Sequence, residues 1–139
     1  MTSRFFASLL VAVLGLSLAA CGKKTETAGD ELVIRIGSVS PLTGPQSHLG
    51  KDNENGARLA VEELNAKGVM IAGKKARIEL LSEDDGADPK TATIIAQRLI
   101  DQKVAGVIGH LNSGTSIPAA KLYSDAGVVQ ISPSATAVK

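Results

Sequence analysis

Short β-branched apolar runs alternate with segments of helical periodicity from residue 32 onward, and this alternation limits the possible folds more than any other feature. The apolar runs are typical of strands, and the segments between them place apolar residues three and four positions apart, as amphipathic helices do. The predicted strands are residues 32–38, 76–82, 104–108 and 128–132. The predicted helices are residues 52–67, a segment that begins at Pro89 after the capping residue Asp88, and residues 116–126. The second helix has an apolar face of Ala92, Ile95, Ala96 and Leu99, and a turn is predicted at residues 72–75.

This order of elements predicts an α/β fold with a parallel sheet and helices on both faces, because each helix returns the chain to the start of the next strand. The loops that follow the strands then share one edge of the sheet, formed by the carboxyl ends of the strands. Open α/β sheets bind their ligands along that edge. The four loops are residues 39–51, 83–88, 109–115 and 133–139.

Charge and composition exclude several classes of partner. The chain has 15 Lys and Arg against 14 Asp and Glu, a net charge of +1, whereas a nucleic-acid-binding protein needs a basic face. One Tyr, two Phe and no Trp leave too few rings for base stacking. One Cys and two His argue against an internal disulfide and a zinc site. We therefore expect no nucleic-acid partner, no metal and no cofactor.

The first 20 residues have the features of an export signal. Arg4 precedes sixteen uncharged residues, 5–20, and a helix of that length reaches only about 24 Å across a hydrocarbon core of roughly 30 Å. A basic start, an apolar middle and a small-residue end are typical of a signal peptide. The sequence Leu18-Ala19-Ala20-Cys21 also resembles the lipobox of bacterial lipoproteins.

The lipobox resemblance implies cleavage before Cys21 and a lipid anchor on that residue, with residues 21–31 as the lipidated cysteine and a flexible tether. Two or three acyl chains hold a protein stably at a membrane, whereas one holds it only marginally. A plain signal peptide with an incidental cysteine is the alternative. Either interpretation predicts export to the periplasm or cell envelope.

Three patterns resemble parts of catalytic sites, but none of them meets the requirements of one. Residues 44–51 resemble a phosphate loop, but the glycine spacing is one residue too long and Asp52 replaces the required Ser or Thr. A glycine- and proline-rich turn is the better interpretation of this segment. The acidic residues 83–85 are expected to be solvated loop charges. His48 and His110 lack the nearby carboxylate and serine of a catalytic triad. We therefore predict that the chain is not an enzyme.

The loop at residues 109–116 is the best candidate for binding an anion. It ends a predicted strand and opens a helix, so unpaired backbone N–H groups and the positive end of the helix dipole point into it. Small hydroxyl residues let a carboxylate come close, and Ser113 is the candidate donor. Helix capping by Ser113 or Thr115, with no ligand, is the alternative.

The loop at residues 132–136 lies one strand over on the same edge. The hydroxyl of Thr136 and the carbonyl of Ser134 are suitable acceptors for an ammonium group. We therefore expect the two loops together to hold a small zwitterion, with its anion at one loop and its cation at the other.

Four segments, in this order and spacing, resemble the amino-terminal lobe of periplasmic leucine/isoleucine/valine-binding proteins, the substrate-binding components of ABC transporters. The segments are SPLTGPQSHLG, GARLAVEELNAKGV, EDDGADPKTA and VIGHLNSGTSIPAAKLYSDAGVVQISPSAT, within residues 32–137. The resemblance implies the type I periplasmic binding fold, a branched-chain amino acid as ligand and an inner-membrane permease as partner. Residues 32–139 would be part of the first of two lobes, and we expect them to bind leucine poorly alone.

The resemblance also implies a set of ligand contacts. Ser113 would meet the ligand carboxylate with its hydroxyl and amide, while Ser134 would offer its carbonyl. Thr136 would offer its hydroxyl to the ammonium and its amide to the carboxylate, and Ala135 lies between these two residues. Leu49 stands where leucine-binding members have an aromatic ring, so that ring contact is lost.

Two alternatives and one structural expectation stay open. A ligand-sensing domain for amides, urea or similar solutes shares the fold, and a receiver-like phosphotransfer domain would use Asp84 or Asp85. Family members with a disulfide between the second and third loops have cysteines in place of Ala87 and Asn112. An incomplete parallel sheet is expected to leave an unpaired edge that is prone to association.

Overall fold

The computed structural model describes residues 31–137, which form a five-stranded sheet and three helices. The strands are β1 (Leu32–Ser40), β2 (Val69–Ile71), β3 (Lys74–Asp84), β4 (Gly106–Gly109) and β5 (Val129–Ile131). The helices are α1 (Ser47–Lys67), α2 (Pro89–Asp101) and α3 (Ser113–Asp125). The predicted signal segment and Cys21 lie outside the described residues. Within residues 31–137, none of the helices has the length and hydropathy that crossing a membrane requires.

The sheet confirms the predicted α/β fold. Its strand order is β2-β3-β1-β4-β5, and β1 pairs in parallel with both β3 and β4, while β4 pairs in parallel with β5. The expectation of a wholly parallel sheet is wrong at one edge. There β2 pairs antiparallel with β3 through a turn at Ala72 and Gly73, both with positive φ. The turn predicted at residues 72–75 is therefore a hairpin turn.

Two helices begin earlier than the sequence predicted. Helix α1 begins at Ser47 instead of residue 52, so the second half of the segment read as a glycine-rich turn is helical. Position 50 in this first turn requires glycine, because a Cβ there would overlap the carbonyl oxygen of Pro41. Helix α3 begins at Ser113 instead of residue 116, which places the candidate anion donor on the helix itself.

Helix α2 agrees with its sequence signals. The side chain of Asp88 accepts a hydrogen bond from the Thr91 amide at 2.6 Å, and Pro89 occupies the first helical turn. The predicted apolar face is buried and consists of Ala92, Ile95, Ala96 and Leu99. Leu99 packs directly over Gly37 of β1. A Cβ added to Gly37 would lie only 2.8 Å from Leu99 Cδ1. With Val39, Val107 and Tyr123, this face forms the core between the sheet and helices α2 and α3.

The opposite face of the sheet is covered only in part. Helix α1 and the sheet enclose an apolar cavity of about 290 Å³, lined by Ile36, Ala57, Ala60, Val61, Leu64, Ile78, Gly106, Val107, Ile108, Val129 and Ile131. Val129 and Ile131 of the edge strand β5 are 62% and 66% exposed. Association through this edge stays a prediction.

Gly50→Ala is expected to lower the free energy of unfolding by about 1–3 kcal/mol, because overpacked positions cost that much and the new Cβ would overlap the Pro41 carbonyl. Gly56→Ala in the same helix meets open space. It should raise the free energy of unfolding by about 0.5–1 kcal/mol, the helix preference of Ala over Gly. Urea denaturation of the two variants measures both effects. Shifts of the same sign would contradict the packing argument for Gly50.

Candidate functional site

The two loops chosen from the sequence lie in contact at the carboxyl edge of the sheet. The backbone amides of Thr136 and Ala137 each donate a hydrogen bond to Ser113 Oγ at 3.1 Å. Ser113 is the first residue of α3, and Thr136 belongs to the segment that follows β5. The structure therefore brings Ser113 and Thr136 together, although they are 23 residues apart in the chain.

These two bonds leave the Ser113 hydroxyl with only its hydrogen to offer to a further partner. A hydroxyl has two acceptor lone pairs and one hydrogen to donate, and the two amides occupy both lone pairs. Within residues 31–137 no acceptor takes its hydrogen, and the side chain is partly exposed. Ser113 can therefore offer a ligand a donor and not an acceptor, which suits an anion.

The capping alternative for Ser113 and Thr115 is wrong. The residue at the cap position is Asn112, whose side chain makes no cap bond and instead donates to Gln46 Oε1 at 2.7 Å. The Thr115 hydroxyl donates to the Asn112 carbonyl at 3.0 Å. The amides of Thr115 and Ser116 also bond to that carbonyl. The N–H groups of Ser113 and Gly114, which have no partner inside the helix, are left at its positive end.

The loop after β5 is fixed by serine side chains. Ser134 Oγ donates to the Leu111 carbonyl at 2.6 Å, and Ser132 Oγ donates to the His110 carbonyl at 2.6 Å. The amide of Ala135 in turn donates to Ser132 Oγ at 2.9 Å. Ser134 and Thr136 are thus bonded to Leu111 and Ser113, before and at the start of α3, whereas Ala135 is linked to His110 only through Ser132.

Leu49 takes no part in the hydrogen bonds that join this pair of loops within residues 31–137. It lies in the first turn of α1 and is 48% exposed. The start of α1 does reach α3 through the bond between Gln46 and Asn112. A cavity of about 390 Å³ lies beside that bond, lined by Pro41, Thr43, Pro45, Gln46, Gly86, Ala87 and Asn112.

Contrary to expectation, Asp84 is not a solvated loop charge, because its carboxylate holds the loop after β1 by hydrogen bonds. Its carboxylate accepts hydrogen bonds from the Leu42 amide at 2.7 Å, the Thr43 hydroxyl at 2.6 Å and the Gly86 amide at 2.9 Å. Burial raises the pKa of Asp84, but these hydrogen bonds together outweigh it and hold the pKa below the ordinary 3.8.

Asp85 also departs from expectation, because it is fully buried and paired with His110. Asp85 Oδ2 lies 2.8 Å from His110 Nδ1, and His110 Nε2 lies 3.3 Å from the hydroxyl of Tyr123. The prediction that His110 has no nearby carboxylate is therefore wrong. A phosphotransfer role needs an accessible carboxylate, and Asp85 has no exposed surface. Within residues 31–137, no group of three His, Cys, Asp or Glu side chains is placed to hold a metal ion.

The loops at the carboxyl edge of this mostly parallel sheet present a hydroxyl and helix amides, and ligands of open α/β sheets bind along that edge. Residues 33–139 match the family described as periplasmic binding protein. The chain belongs to this family.

Three relatives illustrate the similarity. Leu/Ile/Val-binding protein homolog 2 of Brucella abortus is 42% identical over 103 residues, which are 74% of this chain and 27% of that protein. The branched-chain amino acid transporter substrate-binding protein LivJ of Streptococcus pneumoniae, in complex with isoleucine, has a TM-score of 0.69 and 35% identity. The match covers 76% of this chain and 30% of LivJ.

The third relative is a solute-binding protein of an ABC transporter from Rhodopseudomonas palustris, in complex with 3,4-dihydroxybenzoic acid. It has a TM-score of 0.64 and 33% identity, and the match covers 74% of this chain and 27% of that one. The chain therefore spans only about a quarter to a third of the length of these relatives.

Asp84→Asn is expected to lower the melting temperature at neutral pH, by an amount that shrinks as the pH falls below 3.8. The pKa of Asp84 is lower in the folded chain than its ordinary 3.8. Its contribution is therefore complete above that value and is lost as the pH falls through the folded-state pKa. Thermal melts across this range measure the difference. Asp52→Asn, on the exposed side of α1, controls for the change of charge. An Asp84→Asn deficit that does not shrink as the pH falls would contradict the assignment.

Proposed function

We propose that the chain is part of the substrate-binding component of an ABC transporter and that its carboxyl-edge loops hold the carboxylate of a branched-chain or related amino acid. The observation that carries this proposal is the Ser113 hydroxyl. Its two acceptor positions are filled by the amides of Thr136 and Ala137, so its hydrogen is left for an anion.

The surrounding groups add to the same preference. The amides of Ser113 and Gly114 lie at the amino-terminal end of α3, where the helix dipole favours negative charge. Three donors are thus available to two carboxylate oxygens. The carbonyl of Ser134 and the hydroxyl of Thr136 are the proposed acceptors for the ammonium group, and Ala135 supplies backbone between them.

The ligands named for two relatives support the carboxylate as the shared feature. Isoleucine is a zwitterion, whereas 3,4-dihydroxybenzoic acid has a carboxylate and no ammonium group. A common site for the carboxylate would account for the binding of both ligands by one fold. The ammonium acceptors then decide whether an amino acid is preferred. The same polar loops support, as the alternative, a sensing domain for amides, urea or other small polar solutes.

Reversible capture requires no bond chemistry, so the proposed role is binding and not catalysis. The ligand would be held by hydrogen bonds and charge alone and released to an inner-membrane permease. Export to the periplasm and a lipid anchor on Cys21 belong to the same proposal. Both depend on residues 1–21, which contain the predicted signal peptide and Cys21.

Incorporation of labelled fatty acid tests the anchor. The chain expressed in a bacterium with labelled palmitate is expected to acquire the label, and Cys21→Ser is expected to lose it because the chain has no other cysteine. Label retained by the Cys21→Ser variant, or absent from the unchanged chain, would contradict lipidation of this residue.

A chimaera tests ligand binding. Residues 33–137 would replace the matching segment of the Brucella abortus relative, which restores the length that this chain lacks relative to it. Ser113→Ala and Thr136→Ala in this chimaera are each expected to weaken leucine binding by about 10- to 100-fold, the value of a hydrogen bond to a charged group. Isothermal titration calorimetry measures the affinities.

Ser124→Ala is the matched control, because Ser124 is exposed in the last turn of the same helix and should leave binding unchanged. Undiminished leucine binding by the Ser113→Ala, Thr136→Ala double variant would overturn the proposed site. Binding of urea or acetamide in preference to leucine would instead support the sensing domain.

A further inference from the structure

Three buried polar side chains form a connected cluster beside the candidate site but outside it. Asp85 follows β3, His110 follows β4 and Tyr123 belongs to α3, and all three have a relative exposure of 0%. A polar group costs free energy to bury unless its hydrogen bonds are made. The hydrogen bonds among these three side chains therefore replace bonds that they would otherwise make to water.

The cluster holds the imidazole of His110 in one tautomer. Asp85 Oδ1 accepts from the Ala87 amide at 3.0 Å, and its Oδ2 lies 2.8 Å from His110 Nδ1. Since a carboxylate only accepts, Nδ1 carries the hydrogen, and in the neutral imidazole Nε2 is then the acceptor. Burial, and then the negative charges of Asp85 and Glu83, raise the pKa of Tyr123, so its phenol keeps the proton that it donates to Nε2.

The backbone of the same histidine anchors both candidate loops. Its carbonyl oxygen accepts from Ser116 Oγ of α3 at 2.8 Å and from Ser132 Oγ after β5 at 2.6 Å. Ser132 Oγ also accepts from the Ala135 amide at 2.9 Å. An unbroken series of bonds therefore leads from Tyr123 to the residue before Thr136.

We propose that His110 is a positioning residue for the candidate site: Asp85 and Tyr123 fix its ring, and its carbonyl sets the distance between the two ligand loops. The ligand part of this inference rests on the proposed function. The placement of the loops does not, because every bond in the series is between residues of the chain.

Tyr123→Phe tests the series with little change of shape, because it removes only the hydroxyl. Amide hydrogen exchange in the full chain is expected to become about fivefold faster at Ala135, as for the loss of one neutral hydrogen bond. The dissociation constant of the chimaera for leucine should rise by about the same factor. Ser124→Ala, at the neighbouring exposed position, should change neither quantity.

A double-mutant cycle tests whether the effect of Tyr123 reaches the Ala135 amide through Ser132. Ser132→Ala removes the link between the His110 carbonyl and the Ala135 amide. If the effect passes through Ser132, Tyr123→Phe adds no further increase in exchange at Ala135 in the Ser132→Ala background. Additive effects of the two substitutions would overturn the proposed route.

A spectrum of the chain without substitutions in the cluster tests the same inference even if the Tyr123→Phe variant fails to fold. Nitrogen-15 spectra of histidine are expected to show the hydrogen of His110 on Nδ1, and His48→Gln removes the signal of the only other histidine. A hydrogen on Nε2 would overturn the proposal. Wild-type exchange and affinity in the Tyr123→Phe variant would also overturn it.

The failure of this inference can be distinguished from the failure of the proposed function. If the unsubstituted chimaera fails to bind leucine while Ala135 exchange responds to Tyr123→Phe, the proposed function fails and the positioning role stands.

Discussion

Hydrogen bonds from serine hydroxyls join the loops that follow β4 and β5, and the candidate site depends on them. Ser116 and Ser132 donate to the carbonyl of His110, and Ser134 donates to that of Leu111. Adjacent strands lie about 4.8 Å apart, so a short side chain spans the gap between their loops. Serine is small enough to leave the amino-terminal end of α3 open. In the proposed site, the helix amides beside these bonds receive the anion.

Elements with local signals were predicted most accurately. Helix α2 combines the cap at Asp88, the proline after it and a four-residue apolar face within thirteen residues. The early start of α1 was missed because it depends on a close approach between Gly50 and Pro41, which the glycine-rich sequence conceals. Strand β2 was missed because it has only three residues and exists through its pairing with β3. In both cases the deciding contact lies outside the segment itself.

Among the polar residues, one pair of neighbours was predicted and another was missed. Ser113 and Thr136 were selected correctly as neighbours, because the rule that the loops share one edge brings them together. The pairing of Asp85 with His110 was missed, since the two are 25 residues apart and were judged by their sequence neighbours. The same edge rule places both beside the end of β1, because β3 and β4 flank that strand. Applied to the charged residues, it would have predicted this pair.

The central claim is that the Ser113 hydroxyl, made a donor by the amides of Thr136 and Ala137, binds the carboxylate of the ligand. A crystal structure of the chimaera with leucine tests it most directly. We predict a carboxylate oxygen about 3 Å from Ser113 Oγ, with the ammonium group at Ser134 and Thr136. A leucine carboxylate bound elsewhere, for example in the cavity beside Thr43 and Gln46, would contradict the claim.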